Sequence, residues 1–275
     1  MRILVLSFML CLLSVVACEK SKPEVWYPKV TYEMRQLERT IGVDVDTSKS
    51  YAIIQVAYPE ITMADRDTVK TLINQYIYCH ILDQFEDSLC QTTIESQMDN
   101  FIAEYKDFKD FVPDLSQHWE SRTTVSVIND TLGIFSIGLT TYSYTGGAHP
   151  NASSFFANFS SYNGDYIRLE DVLIEGYQEE LTKIAEIQFR QAKNIGLNDS
   201  LSSAGYWFAD DTFYLNDNYL FGKDNLIFFY NLYEIAPFSM GSSEIKIPYK
   251  LMGSLIKPES VLGQYFYGRY GYEKK

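Results

Sequence analysis

The sequence predicts an α+β fold, in which helices pack on antiparallel sheets in two associated subdomains. Apolar residues recur every three to four positions between residues 69 and 105, which is the period of an amphipathic helix. From Thr123 the period changes to two, which is typical of half-buried strands. A further helical stretch and two more strands follow. Helices laid on antiparallel sheets bury the apolar residues of both kinds of segment.

Three helices are expected from their apolar stripes. A capping box, with Thr92 as the N-cap and Glu95 three residues later, marks the start of the second helix. Gly196 stands where the third helix would need a left-handed C-cap. The stripes are Val69, Leu72, Ile73, Tyr76, Ile77 and Ile81 in the first helix, Ile94, Met98, Phe101, Ile102 and Tyr105 in the second, and Leu181, Ile184, Ala185, Phe189 and Ala192 in the third, which runs from about Tyr177 to Lys193.

Strands are expected before, between and after these helices. Pro59 ends the first strand, Asn129-Asp130 suggests a turn, and Asn163-Gly164 is a strong hairpin signal. The predicted strands are residues 51–58, a strand from residue 123, and residues 135–139, 155–161, 166–169, 226–230 and 244–247. We place the N-terminal subdomain at residues 29–150 and the C-terminal subdomain at residues 151–275.

The first residues predict export and lipid attachment. Met1-Arg2 gives a positive start, and residues 3–16 are almost wholly apolar. This run is shorter than the roughly 20 residues that span a bilayer core, so it is typical of a signal peptide. Small residues then stand directly before Cys18, and this spacing resembles the bacterial lipobox. We therefore expect a signal peptide over residues 1–17, lipid on Cys18 and a lipid-anchored linker over residues 18–28.

Export and a lipid anchor predict a location in the cell envelope. We expect the protein to be anchored at the outer membrane, on its periplasmic or surface face. The alternative is an ordinary secretory signal followed by a chance cysteine, and the polar residues 19–22 after a cysteine in this position argue against it.

The composition limits the classes of partner that we expect. Cleavage after residue 17 would remove Arg2 alone among the charged residues, leaving 22 basic and 36 acidic residues and a net charge of −14. Nucleic acid binding requires basic clusters, so we exclude it. The acidic surface permits attraction to a basic protein or a cation, although solubility alone would account for it. The 22 tyrosines and 17 phenylalanines favour a packed, sheet-rich core.

Three segments resemble a known family. They are residues 142–149 (Tyr-Ser-Tyr-Thr-Gly-Gly-Ala-His), residues 167–173 after a strand and an Asn-Gly turn (Ile-Arg-Leu-Glu-Asp-Val-Leu), and residues 228–241, which contain Tyr-Glu-Ile-Ala-Pro. In this order they resemble the extracellular region of RsiV-type lysozyme-sensing anti-sigma factors. They are also similar to the region that precedes the catalytic domain of PdaC-type peptidoglycan deacetylases. The resemblance covers about residues 30–265.

The resemblance implies a sensor-type or binding module, with a lysozyme-like muramidase as the leading specific partner. We expect this module alone on a lipid anchor, because the sequence shows neither a deacetylase domain nor a cytoplasmic segment before a transmembrane helix. A lipid anchor crosses no bilayer, so any sensing by this chain would have to pass through a partner.

The most conspicuous candidate site is the loop that contains Tyr144, Gly146, Gly147 and His149. Its glycines allow positive φ and close backbone approach, so the loop could present Tyr144 and His149 to a partner. The alternative, which we favour, is that the glycines only connect two strands while His149 satisfies nearby backbone carbonyls.

Metal and catalytic sites are not predicted, and neither is a cofactor. The three histidines, His80, His118 and His149, have no ligand spacing. No Gly-x-Ser-x-Gly or His-Glu-x-x-His motif is present. We therefore expect no enzymatic activity.

Cys79 and Cys90 are the two cysteines beyond the predicted anchor. A single helix through both would hold them about 16 Å apart, too far to bond, but the break expected near residues 86–91 could fold Cys90 back. The sequence is compatible with either a disulfide between these cysteines or two free thiols. If the disulfide forms, its role would be structural.

Three functional hypotheses follow. The first is a non-catalytic envelope lipoprotein that binds a lysozyme-like protein or a peptidoglycan fragment. The second is an envelope enzyme acting on peptidoglycan or an ester, with a site that converges only in three dimensions. The third is a structural or assembly lipoprotein that docks on a membrane partner.

Overall fold

The computed structural model describes residues 27–42, 50–83, 90, 92–112, 117–131 and 133–270. The predicted signal peptide, Cys18 and most of the predicted linker lie outside the described residues. Within the described ranges, no helix has both the length and the apolar character needed to cross a membrane.

The described residues form eight strands and five α-helices. The strands are β1 (Val30–Ile41), β2 (Ala52–Ala64), β3 (Trp119–Thr131), β4 (Ile134–Tyr144), β5 (Asn151–Ser160), β6 (Tyr219–Phe221), β7 (Asn225–Tyr230) and β8 (Ser243–Pro248). The helices are α1 (Asp67–Ile81), α2 (Ile94–Phe111), α3 (Leu169–Val172), α4 (Gln178–Lys193) and α5 (Val261–Tyr270). The α+β prediction is confirmed.

The strands form two sheets, one of which is mixed. The first has the order β1-β2-β3-β4-β5, and the second has the order β6-β7-β8. All neighbouring pairs are antiparallel except β2 and β3, which are parallel. The prediction of purely antiparallel sheets is therefore wrong for this pair. A parallel pair needs a long crossover, and the segment that contains α1 and α2 supplies it.

The first core lies between the five-stranded sheet and the crossover helices. The predicted stripes hold for most positions, although Leu72 is 42% exposed. The second helix is capped by Thr93 instead of Thr92, because the Thr93 hydroxyl accepts a hydrogen bond from the Ser96 backbone N–H at 3.0 Å. The buried residues of the two helices are Val69, Ile73, Ile77, Cys79, Ile81, Ile94, Met98 and Tyr105.

The second core lies between α4, the three-stranded sheet and α5. Leu181, Ala185 and Phe189 of α4 are buried, as their spacing predicts. Asn194 provides the left-handed C-cap of this helix, with φ 56° and ψ 41°. The prediction that Gly196 has this role is wrong, since the helix ends two residues earlier and asparagine tolerates the left-handed region.

The segment after β5 turns as predicted but does not return as a strand. Gly164 has φ +84°, and a Cβ there would lie 2.8 Å from the Val69 Cα of α1. The predicted strand over residues 166–169 is reduced to a single bridge between Phe159 and Tyr166. The chain then enters α3, because the Asp171 carboxylate accepts a hydrogen bond from the Arg168 backbone N–H at 2.7 Å.

The two cores divide later than the sequence suggests. Residues 151–160 form β5, whose Ala157 and Phe159 belong to the first core. From Ile167 onwards, the buried apolar residues belong to the second core. The predicted boundary between residues 150 and 151 would therefore cut the edge strand away from its own sheet.

Three buried polar side chains join the two sheets. Asn158 is 0% exposed. Its amide nitrogen donates to the Tyr219 carbonyl at 3.1 Å, and its amide oxygen accepts from the Phe221 N–H at 2.9 Å. Ser136 donates to the Asn158 amide oxygen at 2.7 Å, and Asn129 donates to the Phe221 carbonyl at 2.8 Å. These bonds hold β6 against the face of the first sheet that does not carry α1 and α2.

Candidate functional site

The predicted binding loop connects β4 to β5. Gly146 has φ +106° and Gly147 has φ +112°, conformations that L side chains rarely adopt. The Tyr144 hydroxyl donates to the Gly147 carbonyl at 3.2 Å, which braces the loop from inside. The glycines therefore connect two strands, and the same connection leaves His149 exposed at the end of the loop.

His149 contacts a second segment that is distant in sequence. Its Nε2 lies 3.0 Å from the Tyr233 hydroxyl, and its ring stacks on Phe238 with centroids 4.2 Å apart. Its Nδ1 lies 3.0 Å from the Pro150 carbonyl oxygen. These contacts are satisfied when Nδ1 donates to the carbonyl and Nε2 accepts from the tyrosine hydroxyl.

Tyr233 is held outward by a strained turn. Its φ of 63° lies in the left-handed region, which costs a residue with a Cβ roughly 1–2 kcal/mol. The Glu234 carboxylate fixes this turn by accepting hydrogen bonds from the Asn231 N–H and the Asn216 side chain, both at 2.7 Å. Tyr233 is 50% exposed as a result.

We call His149, Tyr233 and Phe238 the aromatic surface. The sequence identified His149 as a candidate but missed both of its partners, although they lie in the Tyr-Glu-Ile-Ala-Pro-Phe segment. Tyr144 is not part of this surface, because its ring packs near His118, with centroids 5.1 Å apart.

The aromatic surface is suited to recognition. Tyrosine and phenylalanine give large contact areas with few rotatable bonds. Among the described residues, the hydrogen bonds of His149 go to a carbonyl and a phenol, so its imidazole has no carboxylate to orient it as a general base. No group of three or more metal-ligating side chains occurs within the described part of the chain.

A groove of about 440 Å³ lies between the two subdomains. We call it the subdomain groove, and its residues come from α1, β5, the chain after the turn that follows β5, and the segments around β6 and β7. They are Tyr76, His80, Phe155, Phe156, Tyr166, Asn216, Asp217, Asn218, Asn231 and Glu234.

Asparagine side chains close the free edge of β5 beside the subdomain groove. Asn231 accepts from the Ser154 N–H at 2.6 Å, and Asn218 accepts from the Phe156 N–H at 3.0 Å. Asn218 also donates to the Ser154 carbonyl at 2.8 Å. An edge strand exposes unpaired backbone groups, and these amides satisfy them in place of another strand.

Burial keeps the titratable rings of the subdomain groove uncharged near neutral pH. It lowers the pKa of the His80 imidazole, although the hydrogen bond with the Tyr76 carbonyl opposes this effect. Burial also raises the pKa of the Tyr76 and Tyr166 hydroxyls. The His80 and Tyr76 rings stack on each other with centroids 3.5 Å apart.

Cys79 and Cys90 form a disulfide, with Cα atoms 5.5 Å apart. Cys79 lies in the last turn of α1, and Cys90 lies four residues before α2. The bond ties the last turn of α1 to the chain just before α2.

Comparisons with known families cover both subdomains. Residues 45–152 match the family model described as deacetylase PdaC, and residues 170–250 match that of the protein of unknown function DUF3298. The chain has a PdaC/DUF3298-type domain of unknown function. These matches confirm the PdaC-type resemblance that the sequence motifs indicated. His149 lies in the first matched range and Tyr233 and Phe238 lie in the second, so the PdaC/DUF3298-type domain builds its aromatic surface from both.

Solved structures show the same fold. A DUF3298 family member from Bacteroides fragilis is 21% identical with a TM-score of 0.72, covering 86% of this chain and 97% of that one. A DUF3298 family protein from Pseudomonas aeruginosa is 19% identical with a TM-score of 0.59, covering 83% of this chain and 95% of that one. No match was found among curated proteins.

Proposed function

We propose that this chain is a non-catalytic cell-envelope lipoprotein, anchored through Cys18, whose PdaC/DUF3298-type domain binds a basic, lysozyme-like protein. The observation that carries the proposal is the aromatic surface, where an exposed imidazole and two aromatic rings meet from separate parts of the chain. Tyr233 is exposed and Phe238 is half-buried, and both are residue types that are enriched at protein interfaces.

The charge of the chain supports a basic partner. The full sequence has a net charge of −13, and opposite charges on two proteins accelerate their association and favour correct pairing. The resemblance to lysozyme-sensing extracellular regions points to a muramidase among basic proteins. The lipid anchor would hold the domain at the membrane, where it would meet such a protein in the envelope.

Calorimetric titration of lysozyme into the purified protein tests this proposal. We expect saturable heat at about 20 mM salt and an affinity at least about tenfold weaker at about 300 mM salt, because salt screens the attraction between the two surfaces. Lysozyme with acetylated lysines, which has lost much of its positive charge, is the control and should bind more weakly. An absence of heat at low salt would contradict a lysozyme-like partner.

A further inference from the structure

The subdomain groove has a negative and an aromatic wall. Asp217 and Glu234 contribute carboxylates, and no lysine or arginine is among its ten described lining residues. The imidazole and the phenols are uncharged near neutral pH, as their pKa directions require. Arg168 is not among these lining residues, although its charge acts on the Tyr166 hydroxyl more strongly than that of Asp217 does. A positively charged group would therefore enter the subdomain groove favourably.

Aromatic rings also line the subdomain groove, and we call Phe155, Tyr76 and Tyr166 its aromatic wall. Phe155 is 48% exposed although it is large and apolar, and the ring centroids of Tyr76 and Tyr166 are 6.0 Å apart. The face of an aromatic ring attracts a cation. A guanidinium group suits such a site better than an ammonium group, because it is planar, weakly hydrated and able to stack on rings.

The subdomain groove and the aromatic surface share one turn of the chain. Tyr233 is part of the aromatic surface, whereas Asn231 and Glu234 in the same turn line the subdomain groove. Glu234 is fixed in place by its bonds to Asn216 and Asn231. A protein that covers the aromatic surface therefore has a side-chain pocket within reach on the other side of the same turn.

We propose that the subdomain groove receives an arginine side chain of the protein partner, with the guanidinium facing Asp217 and Glu234 and the methylenes packed on the aromatic wall. This inference rests on the proposed function, because it assigns a place to one side chain of that partner. The subdomain groove has a volume of about 440 Å³, which is in the range of small-molecule sites.

The test compares Asp217→Asn with Glu180→Gln, its matched control. Both residues are exposed, and each substitution removes one negative charge, but Glu180 lies in the first turn of α4 outside the subdomain groove. We expect Asp217→Asn to weaken lysozyme binding about tenfold and Glu180→Gln to weaken it less than about twofold, because only the first removes a contact as well as a charge. Equal effects of the two substitutions would overturn the pocket while leaving the proposed function standing.

A second measurement keeps the two proposals separate if lysozyme does not bind. An end-blocked tetra-arginine peptide is titrated into the isotope-labelled protein, and backbone amide shifts are followed by NMR. We expect shifts concentrated at residues 154–156 and 216–218, and their loss in Asp217→Asn. Shifts spread evenly over acidic residues, or no shifts, would overturn the pocket whatever lysozyme does.

Discussion

Replacing Asn158 with alanine is expected to lower the free energy of unfolding by about 3 kcal/mol or more. The Asn158 amide is fully buried and bonds to the Tyr219 carbonyl, the Phe221 N–H and the Ser136 hydroxyl. Alanine leaves these groups buried without their partner, and each unsatisfied buried group costs roughly 1–3 kcal/mol. The loss falls at the junction of the two sheets, so we expect both subdomains to be destabilised.

Urea denaturation of the purified protein measures this loss. Asn151→Ala is the matched control, since Asn151 is exposed at the start of the same strand, and it should change stability by no more than about 0.5 kcal/mol. A loss below about 1 kcal/mol for Asn158→Ala would mean that the buried amide does not join the sheets in solution.

Removing both rings that contact His149 is expected to reduce the affinity for lysozyme about 100-fold or more. Tyr233 is exposed and Phe238 is half-buried, and truncating a central aromatic anchor commonly costs 2 kcal/mol or more of binding free energy. The double variant Tyr233→Ala/Phe238→Ala should keep its fold, because neither side chain belongs to a buried core.

Phe111→Ala is the control for this double variant. Phe111 is 85% exposed at the end of α2, so its loss also removes an exposed ring but leaves the aromatic surface intact. We expect its affinity for lysozyme to match that of the parent protein. If the double variant bound as tightly as the parent, the binding site would lie elsewhere on the domain.

The helices and several strands were predictable because their apolar side chains recur with the period of the element. In α1, α2, α4, β3, β7 and β8 this period follows burial on one side. In β4 the polar Ser136 between Phe135 and Ile137 is itself buried, because it faces the second sheet. The sequence pattern predicts neither β1 nor β6. Most β1 side chains are exposed, so no apolar period marks it, and β6 is three residues long.

The parallel pairing of β2 and β3 could not be predicted from local pattern, because the period of a strand is the same in both kinds of sheet. The direction of this pairing depends on the end of the sheet at which the chain re-enters it after the crossover helices. The same limit applies to the buried hydrogen bonds between the two sheets. Asn158 is one of several polar residues in β5, and its partners Tyr219 and Phe221 lie about sixty residues later.

The candidate site was half predictable. The paired glycines and His149 stand out in sequence, since positive φ and an exposed loop follow from those residue types. Tyr233 lies 84 residues from His149, and no periodicity links positions that far apart. The subdomain groove was not predictable either, because Phe155 lies in β5 of the five-stranded sheet and Asp217 lies just before β6 of the three-stranded sheet.

Hydrogen exchange with and without lysozyme tests whether the PdaC/DUF3298-type domain binds a basic protein at the aromatic surface. We expect slower exchange of backbone amides in residues 145–150 and 231–241 when lysozyme is present, because the partner would cover these loops and restrict their opening. Unchanged exchange in both loops at a saturating lysozyme concentration would contradict binding at the aromatic surface.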